Sequence, residues 1–235
     1  MLEGLLGSRR GKRPQCQFLF IISYGRSGST LLQSLLATIP GAHIMGENQD
    51  VLAGLFQAYR NAAYAVRQEG QSPRIRAGDP WRGAHLIDPQ SFNRKLARAF
   101  LQDILNVPGN ACVVGFKEIR YFDHDDLEDY LDYIRMTFSP ALLLFNRRRA
   151  EDVARSGWWK QHPYVRGRPA DIEREVRLFD QRIDKYASEA PDSCAIVNYE
   201  DYCRDVRVLE PIFERLGAPF DYESARAVIA RPLKH

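Results

Sequence analysis

The chain has 235 residues, 45% of them hydrophobic and 27% charged, a usage that excludes wholesale disorder and supplies enough apolar material for a sizeable core. A net charge of only +3 implies no nucleic-acid footprint, so a basic cluster such as Asn146-Arg147-Arg148-Arg149 has to be read locally. No apolar run approaches the ~18 residues of a membrane span, and the basic stretch 1–13 has no signal-peptide hydrophobic region after it, so the expectation is one cytoplasmic α/β domain, 1–235, flexible over 1–15.

In chain order, Phe18 to Ile22 is a continuous apolar run of the kind that a strand buried on both faces requires. Leu31, Leu32, Leu35, Leu36 and Ile39 then recur at helical spacing until Pro40-Gly41. Ala42 to Met45 is a possible short strand, Gly46-Glu47-Asn48 a turn, and Val51 to Val66 an amphipathic helix capped by Asn48 or Asp50. Residues 70–90 carry prolines and glycines without period, a lid or substrate loop or else a connector, with Trp81 as a candidate substrate wall. A helix is expected from about Ser91 to Leu105 and a strand from Ala111 to Phe116 that ends in Lys117-Glu118. Leu127 to Phe138 gives a helix and Ala141 to Phe145 a strand running into the arginine cluster. Ala150 to Trp159 is predicted helical, 161–169 breaks the pattern, and Ile172 to Tyr186 gives a long helix. Ala195 to Tyr199 is a further strand, and Val206 to Leu216 a helix with Gly217 at its C-terminal cap position. Strands alternating with helices imply a three-layer fold with a mainly parallel sheet, in which ligands collect beyond the strand C-termini. Arg26, Lys117, Arg148 and Tyr199 all fall there.

Four cysteines, Cys16, Cys112, Cys194 and Cys203, show no C-x-x-C spacing and read as reduced thiols. No histidine-cysteine metal cluster is present, and no metal is expected.

The segment Tyr24-Gly25-Arg26-Ser27-Gly28-Ser29-Thr30 joins a strand to a helix, and its glycines let the amides of Ser27 to Thr30 converge at the helix N-terminus. Such a point binds anions, because unpaired amides and the positive end of the helix dipole both face it. It is not the loop of a nucleoside-triphosphate hydrolase, G-x-x-x-x-G-K-[ST]: with Gly28 as the second glycine, Ser23 takes the place of the first and Ser29 that of the lysine. The cation stands instead at Arg26.

Tyr24 to Leu32 resembles the 5′-phosphosulfate loop of sulfotransferases that use 3′-phosphoadenosine 5′-phosphosulfate, which implies a P-loop-like sulfotransferase fold and donor contacts from Arg26, Ser27, Gly28, Ser29 and Thr30. The run from Leu142 to Trp159 resembles the family's 3′-phosphate motif, in which a strand delivers an arginine and a serine follows eight residues later. Arg148 and Ser156 meet that spacing, with Arg147 and Arg149 one residue to either side. The resemblance covers roughly 18–216.

Pro40 to Asn48 resembles the segment of the tyrosylprotein and bacterial branch in which a Gly-Glu takes the acceptor's proton, which implies Glu47 as the base. His43 is the competing assignment, by similarity to the cytosolic steroid and phenol enzymes. Lys117 matches the same branch's active-site lysine, and with Arg26 it would neutralise charge on the sulfuryl group. Tyr199, in Val197-Asn198-Tyr199-Glu200-Asp201, is implied on the nucleotide side. The family's C-terminal nucleotide loop has no clear counterpart, with Arg226, Arg231 and Lys234 as possible substitutes. The implied reaction moves a sulfuryl group to a hydroxyl of a sugar, glycolipid, peptide tyrosine or small metabolite, leaving 3′-phosphoadenosine 5′-phosphate. The rival readings are a P-loop-like kinase and a non-catalytic nucleotide-binding module.

Overall fold

A computed structural model describes residues 17–69, 78–156, 159 and 169–231. Five strands, β1 (Gln17–Ile22), β2 (Ala42–Met45), β3 (Val113–Glu118), β4 (Ala141–Arg147) and β5 (Cys194–Asn198), form a sheet in the order β2-β3-β1-β4-β5. Every neighbouring pair is parallel, so each connection crosses a face and all five C-terminal ends share one edge. The crossovers use α1 (Ser29–Leu36), α2 (Val51–Glu69), α3 (Pro89–Ala99), α4 (Leu127–Thr137), α5 (Ala150–Ala154) and α6 (Pro169–Glu189), and the chain continues through α7 (Tyr199–Arg204), α8 (Glu210–Arg215) and α9 (Tyr222–Ile229). This is the three-layer α/β architecture that the alternation of apolar runs predicts.

The central strand shows why. Strand side chains alternate between faces, and β1 is apolar on both. Phe18, Phe20 and Ile22 enter a core with Phe116, Phe145 and the apolar sides of α2 to α6, while Leu19 and Ile21 enter a second core with α1, α7, α8 and α9. Phe20 meets the Phe116 ring edge-on at 5.6 Å. Each such side chain, wholly removed from water, contributes roughly 1.5–3 kcal/mol.

Local chemistry sets the helix ends. The Asn48 side chain accepts the Val51 amide at 3.1 Å, so Asn48 rather than Asp50 starts α2. Asp50 turns inward instead and accepts the Tyr130 hydroxyl at 2.7 Å, with His124 Nε2 2.6 Å from its other oxygen. Asp88 caps α3 through the Ser91 amide at 2.9 Å, and one π-helical turn, Phe100–Ile104, follows that helix.

Some expectations change. The helix after the arginine cluster ends at Ala154, well short of Trp159, because Ser156-Gly157 follows with poor helix formers. The predicted helix over 206–216 is a 3₁₀ segment, Val206–Leu209, followed by α8, whose Pro211 in the first turn can open a helix but cannot lie inside one. Residues 222–229, for which no element was predicted, form α9, capped by Asp221 on the Ser224 amide at 3.1 Å. The expectations for 1–15, for 161–168, for Trp158 and Lys234, and for the 70–77 part of the lid lie outside the described residues.

The buried Asp50 contact gives stability a pH dependence. The hydrogen bond to Asp50 raises the His124 pKa above the ordinary 6.5, against the effect of burial, with Asp126 and Asp123 adding to the rise. A group whose pKa is raised by folding contributes stability that is complete below its unfolded value and is lost as pH climbs through the folded one. The urea midpoint should therefore fall as pH rises above about 6.5, and His124→Gln should flatten that decline. An equal slope in the variant would remove His124 as its source.

Candidate active site

The turn from β1 into α1 is built around two residues of positive φ, Arg26 at 67° and Gly28 at 84°. For arginine this left-handed conformation is uncommon and costs on the order of 1–3 kcal/mol, so the surroundings must hold it. At Gly28 a glycine is required twice over. Besides the φ, a Cβ there would lie 2.1 Å from Cδ2 of Tyr199, whose ring packs against the bare backbone. The first turn of α1 has neither a capping side chain nor an acidic residue. The Leu31 and Leu32 amides both turn back on the Gly28 carbonyl, at 2.9 and 3.3 Å. The amides of Ser29 and Thr30 have no acceptor among the described residues, the condition under which a helix N-terminus binds an anion.

A buried polar frame fixes this turn to β4. The Ser23 hydroxyl donates to the Asn146 carbonyl at 2.7 Å and lies 2.6 Å from the Ser27 hydroxyl. The Asn146 amide donates to the Ser27 carbonyl at 3.0 Å, and its oxygen accepts the Tyr202 hydroxyl at 2.9 Å. Ser23, Ser27 and Asn146 are fully buried, so each of these bonds replaces water that cannot return. Tyr24 adds a second tie, its hydroxyl donating to the Arg148 carbonyl and accepting the Arg148 amide, both at 3.0 Å. Burial pushes the Tyr24 pKa up, which keeps the phenol able to donate.

The three consecutive arginines part company. Arg147 is ion-paired to Asp184 of α6. Arg149 is exposed, its backbone amide held by Glu200 at 3.1 Å. Arg148 alone turns to the loop: it donates to the Arg26 carbonyl at 3.0 Å and lies 4.5 Å from the centroid of the Tyr199 ring. Nε of Arg26 and Nε of Arg148 are both buried with no hydrogen-bond partner, an arrangement that suits an oxyanion. Ser156 lies two residues beyond the end of α5, half-buried, and among the described residues no hydrogen bond joins it to Arg148. Beside Arg148 a cavity of about 360 Å³ is lined also by Arg177, Arg204, Asp180, Glu200 and Asp201. Burial pushes Asp180 up to about 6, although Arg147 opposes the shift.

Across β1, Lys117 lies within β3, in register with Ile21, rather than past the strand's end. Its side chain is only 6% exposed, and a lysine so buried needs a partner. That partner is Glu47, whose Oε1 accepts Nζ at 2.5 Å. Arg120 NH1 approaches the other Glu47 oxygen at 3.4 Å and donates to Glu118 at 2.8 Å. A carboxylate has about four lone-pair sites, so Glu47 can accept a further proton donor with both cations in place. His43 is turned elsewhere, its Nε2 2.6 Å from the Leu105 carbonyl.

Trp159 is buried against Phe122, whereas Trp81 is exposed and meets Tyr64 edge-on. Arg226 lies over the Tyr222 ring within α9. Among the described residues no cluster of three metal-ligating side chains occurs, and no helix is long and apolar enough to cross a membrane. Four residues of the site were missed in the sequence. Ser23, Asn146 and Tyr202 form the frame of the loop, and Arg120 bridges two carboxylates. For Ser23, Asn146 and Arg120, polarity inside or beside an apolar strand was the available signal.

The sequence model of the sulfotransferase family matches residues 19–222. No curated protein matches the chain by sequence. Among solved structures, the sulfotransferase domain from the Synechococcus PCC 7002 olefin synthase is similar at a TM-score of 0.59 and 20% identity, over 95% of this chain and 80% of that one. The sulfotransferase domain from the curacin biosynthetic pathway follows at 0.54 and 16%, over 91% and 77%. A sulfotransferase from Alicyclobacillus acidocaldarius is similar at 0.52 and 15%, over 95% and 98%. At these identities the structures speak for the fold, which they share with this sheet and its flanking helices. The family match itself runs from β1 through the anion loop, the arginine turn and the β5 end to the first residue of α9, and the chain belongs to the sulfotransferase family.

Proposed function

We propose that the protein transfers a sulfuryl group from 3′-phosphoadenosine 5′-phosphosulfate to the hydroxyl of an acceptor, in one in-line displacement and without a metal. The observation that carries this reading is the Lys117–Glu47 pair at the sheet edge that also carries the uncapped N-terminus of α1 and, turned toward it, Arg148, which donates to the Arg26 carbonyl. The donor would supply an activated sulfur bonded to a phosphate leaving group.

The chain's residues have separable tasks in this reading. The Ser29 and Thr30 amides, the Ser29 hydroxyl and Arg26 hold the phosphosulfate end, with Gly28 allowing close approach and the buried Ser27 fixing the turn from beneath. Arg148, with Ser156, holds the 3′-phosphate by charge-assisted hydrogen bonds, and Tyr199 stacks beside it on the nucleotide side. Glu47 accepts the acceptor's proton as the acceptor oxygen bonds to sulfur and the sulfur–phosphate oxygen bond breaks. Lys117 and Arg26 oppose the negative charge that grows on the sulfuryl oxygens and the departing phosphate. Positioning and fixed charge do most of the work, as they do in phosphoryl transfer. The acceptor class, whether sugar, glycolipid, peptide tyrosine or small metabolite, is the object of a screen with sulfur-labelled donor.

Two phosphate sites imply that the 3′ group dominates nucleotide affinity. 3′-Phosphoadenosine 5′-phosphate should raise the melting temperature well above the shift given by adenosine 5′-phosphate, and Arg148→Ala should erase most of the difference. Equal shifts in the unmodified protein would remove the second site.

Glu47→Gln should preserve binding of 3′-phosphoadenosine 5′-phosphate and lower kcat by the ~10²- to 10⁴-fold that a positioned general base supplies. His43→Asn should cost far less, since that ring is bonded to a backbone carbonyl. The reverse ranking of the two variants in a turnover assay would assign the base to the histidine.

A further inference from the structure

Glu118 is fully buried, yet its neighbour Lys117 is not its partner. Alternation along β3 sends the two side chains to opposite faces. Backbone amides satisfy the Glu118 carboxylate instead. Oε1 accepts the amides of Ile119 at 2.8 Å and Arg120 at 3.2 Å, together with the Arg120 guanidinium at 2.8 Å. Oε2 accepts the amides of Asp50 at 3.0 Å and Asn48 at 3.3 Å. These five donors fill the lone-pair sites of one ionised group, the condition on which a buried carboxylate is tolerated.

Oε2 holds a turn that is not intrinsically stable. Gln49 and Asp50 both have positive φ, 62° and 54°, and two successive non-glycine residues in that region persist only where the surroundings over-determine them. The residue just before this turn is Glu47. Glu118 thus reaches Glu47 by two routes, through the 48–50 backbone that it clamps and through Arg120, whose guanidinium touches both carboxylates.

We propose that Glu118 is a positioning residue for the transfer: it touches no reactant and fixes the backbone that aims the Glu47 carboxylate at Lys117 and the acceptor. The proposal rests on the reading of Glu47 as the base. Glu118→Gln keeps the shape but presents an NH₂ group to amides that need an acceptor. Glu118→Asp keeps the charge one bond further back and serves as the second variant.

The test measures three quantities in the full chain for Glu118→Gln, Glu118→Asp, Glu47→Gln and the Glu47→Gln/Glu118→Gln double variant. They are the affinity for 3′-phosphoadenosine 5′-phosphate, sulfuryl transfer from the labelled donor to an un-ionised aliphatic hydroxyl acceptor taken from the screen and to water, and amide exchange over 46–55. Glu118→Gln should leave nucleotide affinity and donor KM within twofold, lower kcat at least tenfold and speed exchange at 48–51 at least tenfold. Glu118→Asp should fall between it and the unmodified protein. In the Glu47→Gln background the second substitution should cost less than twofold, because a residue that acts through Glu47 has nothing left to aim. Unchanged kcat, unchanged exchange, or a loss that adds in full to that of Glu47→Gln would overturn the positioning role while leaving the base assignment intact. Full turnover by Glu47→Gln alone would remove the base assignment, and the proposal with it.

Discussion

Asn146 is the constraint on which the anion loop depends. It stands near the end of β4 with no exposure to solvent, and its amide and carbonyl groups join three segments distant in sequence: the Ser23–Ser27 turn, β4 and α7. A buried amide left half-satisfied costs on the order of 1–3 kcal/mol per missing bond, so the three segments settle together or not at all. The left-handed Arg26 lies inside that frame, and its carbonyl is held in turn by Arg148. The strain of the loop is therefore offset by bonds from β4 and the residue after it, in addition to the Ser23–Ser27 contact within the loop.

The parallel sheet makes this economy of contacts possible. With β1 between β3 and β4, its C-terminal turn has Lys117 on one side and Asn146 and Arg148 on the other. Neighbouring strands lie about 4.8 Å apart, so residues nearly a hundred positions apart in sequence become adjacent without any loop having to reach. Each loop has only to hold its own backbone. At Arg26 the guanidinium of Arg148, just past β4, and at Gln49-Asp50 the buried Glu118 carboxylate of β3 supply bonds that hold an unfavourable backbone.

The sequence made some of this visible and hid the rest for physical reasons. β1 was legible because burial on both faces leaves an unbroken apolar run, and α2 because its period persists over many turns. β2 was ambiguous, since a four-residue edge strand carries too little pattern to separate it from a turn. The register of the arginine cluster stayed open by one residue, although alternation contained an answer. Leu143 and Phe145 face the core that α6 helps to build, Arg147 continues that row, and Asp184 of α6 takes it up. The Glu118 clamp had no sequence signal, because two of its partners are backbone amides 68 and 70 residues away and an amide is the same at every residue. Asn146 was concealed by the arginines beside it, which drew attention to charge where burial was the informative property.

The pair Lys117-Glu118 shows how one strand end can hold a neighbouring turn in two ways. The two-residue period places Lys117 on the face of α1, where Val113 also points, and Glu118 on the opposite face with Val114 and Phe116. The lysine meets a side chain, Glu47, and the glutamate meets the backbone that carries Glu47. Had the two been separated by one further residue, both would lie on one face, and opposite charges so close would neutralise each other instead of acting on the β2–α2 turn. Adjacent placement keeps them apart while each holds the same short turn, one by its side chain and the other by its amides. Arg120, two residues on from Glu118 in the chain, then closes the circuit between the two carboxylates. The position of Glu47 is thus set from β3 and the segment just after it, next to the strand that delivers the β1–α1 turn, which ties the place of this carboxylate to the place of that turn without any direct bond between them.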